Sequence, residues 1–203
     1  MRLFRLPWIS GWLYPEALFR LKTRDKILCL TFDDGPDPES TTKLLYILDK
    51  FKIKALFFCN GRAAEKYPNL VERIKHEGHM VGNHGYNHLN GWTTSAKEYY
   101  NDIIRASLFT SGKLFRPPYG LLRPDQYFLL RKSFRIMFWD IMPYDFDKSL
   151  GAERSLEILN ERIRPGSIIV LHDGRNSTAQ LFLEEFLDRT VNCGYKFNFP
   201  ELQ

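Results

Sequence analysis

Apolar residues along the chain follow two alternating rhythms. Nearly continuous apolar runs at 27–32, 55–59 and 167–171, with a shorter one at 79–82, are bounded by polar residues and predict buried strands. Between them lie longer stretches whose apolar positions recur at the helical period. Leu44, Leu45, Ile47, Leu48 and Phe51 give one such face to a helix near 40–52, with Ser40 or Thr41 available as its cap. Further helices are predicted at about 67–77, where Gly78 can end the turn, near 95–111, over 153–164 before Pro165-Gly166, and at about 178–192. Short strands at 113–116 and 135–139 complete the series. This alternation argues for a parallel sheet with helices outside it, closed or nearly closed as a barrel. No internal repeat, linker or low-complexity tract breaks residues 27–203, which read as one domain after a distinct segment at 1–26.

Composition agrees with a globular chain: 203 residues, 44% hydrophobic and 15% aromatic, suffice for one domain with a substantial core and are short for two. The three cysteines are odd in number and lack zinc-finger spacing, so they predict free thiols in a reducing compartment. No apolar run approaches the ~20 residues that span a bilayer. The N-terminal apolar stretch is interrupted by Pro7, Ser10, Gly11 and Pro15 and makes a poor signal peptide, which predicts a cytoplasmic protein. Of the net charge of +5, residues 1–26 hold +4, from six cations against Glu16 and Asp25. Interleaved with Phe4, Trp8, Trp12 and Phe19, these cations raise the question of an acidic membrane surface. The segment is short and proline-broken, so its aromatics are expected to pack on the barrel, through Trp8, Trp12 and Phe19, with the charges in water. Nothing points to nucleic acid, and a monomer is expected.

The chemistry concentrates where strands end. Thr31-Phe32-Asp33-Asp34-Gly35-Pro36 closes the first strand with adjacent carboxylates, costly to hold together unless something uses the charge. Asn83-His84-Gly85-Tyr86-Asn87-His88 carries imidazoles four residues apart, which meet on one face of a helical turn and suit neighbouring metal ligands. One carboxylate and two imidazoles make a metal set with positions open for water and substrate. Three more segments share the setting of strand end and loop: Phe115-Arg116-Pro117-Pro118-Tyr119-Gly120, Trp139-Asp140 leading to Tyr144-Asp145-Phe146, and His172-Asp173-Gly174. Each alone reads as a turn; together, at the carboxyl ends of strands, they read as one site.

The order of these segments resembles the polysaccharide deacetylase family of chitin, peptidoglycan and chitooligosaccharide N-deacetylases, over roughly residues 27–200. The resemblance implies a distorted (β/α) barrel of about seven parallel strands and a hydrolase that removes N-acetyl groups from an N-acetylated carbohydrate. It implies a divalent metal, zinc with cobalt or nickel as alternatives, held by Asp34, His84 and His88. Asp33 would be general base, oriented by Arg116; the Tyr119 backbone N–H would stabilise the oxyanion; His172, partnered by Asp145, would be the acid. Tyr119, Phe146 and Leu171 would contact substrate, Leu171 at the acetyl methyl. Gly85 stands where many relatives have Ser or Thr, and Phe146 where many have Trp. An amidase acting on a nucleotide-linked, lipid-linked or non-sugar amide stays open, as does a non-catalytic sugar-binding barrel. A ferrous oxygenase fits less well, because its set usually keeps a His and the carboxylate close with the second His distant, the reverse of the order here.

Overall fold

The computed structural model describes residues 4–5, 10–110 and 113–200. Seven strands, β1 (Ile27–Asp33), β2 (Leu56–Cys59), β3 (Met80–Asn83), β4 (Leu114–Phe115), β5 (Arg135–Ile136), β6 (Ile168–His172) and β7 (Lys196–Phe197), pair in parallel. Their order is β5-β4-β3-β2-β1-β6, with β7 beside the start of β1. Past β5 the chain runs on to Ile141, which bridges Ile169 of β6; the Val170 N–H donates to the Ile141 carbonyl at 2.9 Å. That contact brings the two outer strands together and curls the sheet into a distorted barrel. Every strand points the same way, so all the strand-end motifs gather at one mouth.

The helices are α1 (Ser10–Leu13), α2 (Ser40–Lys50), α3 (Gly61–Lys66), α4 (Pro68–His76), α5 (Ala96–Ala106), α6 (Pro124–Leu130), α7 (Ala152–Arg162) and α8 (Ala179–Asn192). The periodicity does not reveal α3 or α6, each under two turns long and started by local chemistry. The Asn60 side chain accepts from the Arg62 and Ala63 N–H groups to begin α3, and Pro124 opens α6. Neither Ser40 nor Thr41 caps α2. The Asp37 carboxylate takes the Glu39 and Ser40 N–H groups instead, freeing both hydroxyls to bind Asp173. The helix predicted over 95–111 ends at Ala106, and the strand predicted over 135–139 keeps its ladder only at Arg135–Ile136.

Strand alternation divides the core in two. Leu28, Leu30 and Phe32 of β1 join Phe57, Ile169 and Leu171 beneath α2, α7 and α8. Cys29 of β1 points the other way, into the barrel, with Phe58, Trp139, Ile168 and Val170. Asp33 shares the Cys29 parity, and the β1–β6 register sets it directly beside His172. Leu171, expected at the acetyl methyl, is fully buried in the outer layer, and the inward residue preceding His172 is Val170. Leu171→Ala is expected to cost about 2–5 kcal/mol in urea unfolding, with KM for an acetylated substrate unchanged; a raised KM in the folded variant would restore the pocket role.

The N-terminal segment lies along the barrel where β5 gives way to the crossing toward β6. Leu18 bridges Met137, and the Phe138 N–H donates to the Leu18 carbonyl at 2.8 Å. Phe19 stacks on Phe138 with centroids 4.9 Å apart, and Tyr14 packs on Phe138 and Tyr127. Trp12 departs from the expectation: on the four-residue α1, which buries nothing, it is 79% exposed. Trp8 lies outside the described residues. No helix among the described residues is long and apolar enough to cross a membrane.

Candidate active site

Arg116 is the largest side chain among those fully buried, directly below the Asp pair. Its Nη1 donates to Asp33 Oδ1 and to Thr31 Oγ1, both at 2.7 Å. Nε and Nη2 donate to the Met137 and Phe138 carbonyls, and the guanidinium plane sits 4.2 Å from the Phe58 ring centroid. With Oδ1 so engaged, Oδ2 of Asp33 is the oxygen left to face the mouth. Asp34 turns to the same side because its backbone is left-handed, at φ 81°, a conformation that costs an L-residue about 1–3 kcal/mol and persists only where its surroundings impose it. The next loop imposes it: Asp173 Oδ1 accepts the Gly35 N–H at 2.8 Å, and a Cβ on residue 35 would overlap that carboxylate. Burial raises the Asp173 carboxyl to about 7, against the pull of Thr41 and the Gly35 N–H.

The two histidines do not share a helical turn. His84 follows β3, the chain reverses through Gly85 at φ 73°, and His88 itself is left-handed at φ 56°. Side chains hold this loop. Asn83 Oδ1 accepts the Gly85 N–H, while Asp102 of α5 accepts the N–H groups of Tyr86 and Asn87 and the Asn87 amide. Nδ1 of His84 lies 2.9 Å from the Arg116 carbonyl, an acceptor only, so Nδ1 carries the proton and Nε2 keeps a lone pair. Nε2 of His84 and of His88 stand 3.5 and 3.1 Å from Asp34 Oδ1, and one donor atom from each residue lies within 4.8 Å of the others. Donors held ~2.0–2.1 Å from a tetrahedral ion stand roughly 3.3 Å apart, so the two Asp34–His spacings suit a divalent metal ion. Electrostatics agree. Burial opposes charge on Asp34, but the His88 hydrogen bond and the His84 and His172 imidazoles hold it well below the usual carboxylate range. Burial brings His84 down to about 4, keeping it a neutral donor.

Across the mouth, Asp145 is wholly buried and holds His172 twice: Oδ2 accepts its backbone N–H at 2.8 Å and Oδ1 its Nδ1–H at 2.9 Å. Ser177 Oγ donates to the same carboxylate at 2.8 Å. Burial alone would lower the imidazole pKa; the charge and hydrogen bond of Asp145, with Asp34 and Asp33 behind them, push it up to about 9.

A cavity of about 590 Å³ opens over these groups. Asp33, Asp34, His84, His88, Tyr119, Phe146 and His172 line it, with Arg116 and Asp145 beneath. The Tyr119 ring meets His88 edge-on at 4.5 Å, and Phe146 meets His172 at 4.6 Å. Thr31 and Asp173 stand in the motifs without an assigned role, and Asp102 and Ser177 lie outside them, although each holds a site loop or site residue. One signal existed: Asp102 is an acid within the apolar stripe of α5, Tyr99, Ile103 and Ala106. Trp139, Met142, Tyr144 and Arg175 also wall the cavity.

A sequence profile described as polysaccharide deacetylase matches residues 20–133. A Bacillus cereus peptidoglycan-N-acetylglucosamine deacetylase is 33% identical over 190 residues, 88% of each chain. A second protein of that name and organism is 38% identical over 152 residues, and the aligned part spans 55% of its length. A crystal structure of a peptidoglycan N-acetylglucosamine deacetylase, in complex with an N-hydroxybenzamide, superposes with a TM-score of 0.87 at 32% identity, covering 95% of this chain and 94% of that one. The chain belongs to the polysaccharide deacetylase family. Two substitutions separate ligand from loop support: Asp34→Ala is expected to abolish stoichiometric zinc binding in calorimetry. Asp102→Ala should leave a site that binds zinc ~10–100-fold more weakly, and unchanged affinity would deny Asp102 the positioning role.

Proposed function

We propose that this chain hydrolyses the N-acetyl amide of an amino-sugar unit in a glycan or glycoconjugate, releasing acetate and leaving a free amine. Zinc is the preferred occupant of the Asp34, His84 and His88 cradle, with cobalt or nickel as functional substitutes. One observation carries the reading: on neighbouring strand ends, a carboxylate fixed by Arg116 and an imidazole fixed by Asp145 flank the same three metal donors. The names of the relatives, peptidoglycan N-acetylglucosamine deacetylases, support the choice of substrate class.

When bound, a divalent metal supplies Lewis acidity toward a water and the amide carbonyl. Asp33 Oδ2 takes the proton of the attacking water, while Oδ1 stays with Arg116 so that the base does not rotate away. Tyr119 sits at φ 59° after two prolines; the turn closes through Gly120 and Leu121 N–H bonds, which leaves the Tyr119 N–H to donate to the oxyanion of the tetrahedral adduct. His172, protonated through Asp145, gives its Nε2 proton to the departing amine nitrogen as the C–N bond breaks. Tyr119 and Phe146 offer ring faces to the sugar, and Trp139 walls the floor.

Metal-loaded protein is expected to release acetate from chitooligosaccharides or peptidoglycan fragments, with chelator abolishing and zinc restoring the activity. No release from either, or from nucleotide- or lipid-linked N-acetyl sugars, would transfer the site to another amide. Asp33→Asn should keep its zinc and lose about 10²–10⁴-fold in kcat. The pH profile follows from the acid. His172 works protonated and has a pKa near 9, which a bound cation lowers, so activity should fall with rising pH at or below about 9. Asp145→Asn removes the charge that raises this value, and its alkaline limb should move to lower pH. An unmoved limb would assign it to another group.

A further inference from the structure

Two cavities of about 580 and 430 Å³ lie side by side at the amino ends of the strands, opposite the catalytic mouth. Leu18, Lys22 and Arg135 are common to both walls. The larger is walled by Lys22, Lys113, Arg131, Lys132 and Arg135, with Glu16 the one carboxylate, and Arg131 engages Glu16 at 2.9 Å. The N-terminal segment folded against β5 and the turn after α6 bring these cations together. Arg135 begins β5, and its backbone N–H donates to the Lys113 carbonyl at 2.6 Å.

Solvated surface lysines need no ligand, but Arg135 differs from them. Its Nε is shut off from water and has no hydrogen-bond partner among the described residues. A guanidinium N–H withheld from both solvent and protein is unfavourable, and concave like charge adds repulsion; an anion in the cavity relieves the repulsion and gives the Arg135 guanidinium a reason to turn toward a partner. Two guanidinium forks and three ammonium groups offer more donors than one carboxylate uses, and they match the several oxygens of a phosphate. The proposed hydrolysis uses none of these residues.

We propose that this cavity is a binding site for a phosphate-bearing ligand, a phosphate ester carried either in solution or on an anionic lipid headgroup. Bound there, the ligand would hold the barrel by the end opposite its mouth.

The test titrates metal-loaded full chain with pyrophosphate by calorimetry at low salt, and in parallel with vesicles of phosphatidylglycerol in phosphatidylcholine against phosphatidylcholine alone. Two variants, Arg135→Gln with Lys132→Gln, and Lys113→Gln with Lys132→Gln, are compared with the parent. The second pair changes only exposed side chains, and acetate release from a soluble substrate verifies folding in both. At least tenfold weaker binding of either probe in the variants, with acetate release unchanged, supports the site. Response to pyrophosphate alone assigns a soluble or polymer-borne phosphate, and response to the anionic vesicles assigns a headgroup. No binding of either probe overturns the proposal, as does binding that survives both variants and inhibits acetate release, which would locate the anion at the catalytic metal.

Discussion

The guanidinium of Arg116 has no contact with water, and the arrangement of the mouth follows from that fact. A buried cation is tolerable only when paired and fully hydrogen-bonded. Arg116 meets that condition by drawing on separate parts of the barrel: Asp33 and Thr31 on β1, the carbonyls of Met137 and Phe138 beyond β5, and the ring of Phe58 on β2. Its own carbonyl fixes the tautomer of His84. Asp33 and His84 are thereby referred to one residue, and neither can shift without leaving a buried charge or a buried carbonyl short of a partner.

Around this centre, buried carboxylates do the work that regular secondary structure does elsewhere. Loops at a barrel mouth leave backbone N–H groups without ladder partners, and such groups must be satisfied when buried. Asp102 takes those of the histidine loop, Asp173 that of Gly35, and Asp145 that of His172. Each acid fixes a backbone position and, through it, a reactive side chain. Left-handed residues cluster here for the same reason: Asp34, His88, Tyr119 and Tyr144 all have positive φ, held by the loops around them.

The barrel also separates two kinds of charge along its axis. Acids and imidazoles converge where strands end, and lysine and arginine converge where they begin. Linear charge counting places an excess of cations in residues 1–26, yet the basic cavity draws most of its cations from 113–135, which only folding brings beside Lys22.

Much of this was legible in the chain. Apolar runs and helical stripes are local properties, so β1, β2, β6, α2, α4, α7 and α8 appear within a few residues of their predicted places. The tandem acids, the paired histidines, Arg116, Asp145 and His172 could be picked out because their chemistry is uncommon in such spacing and each follows an apolar run or sits in a short loop. What the sequence left undecided was direction. Whether Leu171 or Val170 faces the barrel depends on strand register, and one residue of parity reverses the answer. The histidine spacing suits a helix, but Asp102 and Asn83, contacts from outside the loop, outweigh that local preference. Trp12 has the side chain of a typical core residue, yet on its four-residue helix it stays largely exposed. The sequence by itself determined which groups were available and in what order; long-range hydrogen bonds and strand register, which no local pattern encodes, decided which of them meet.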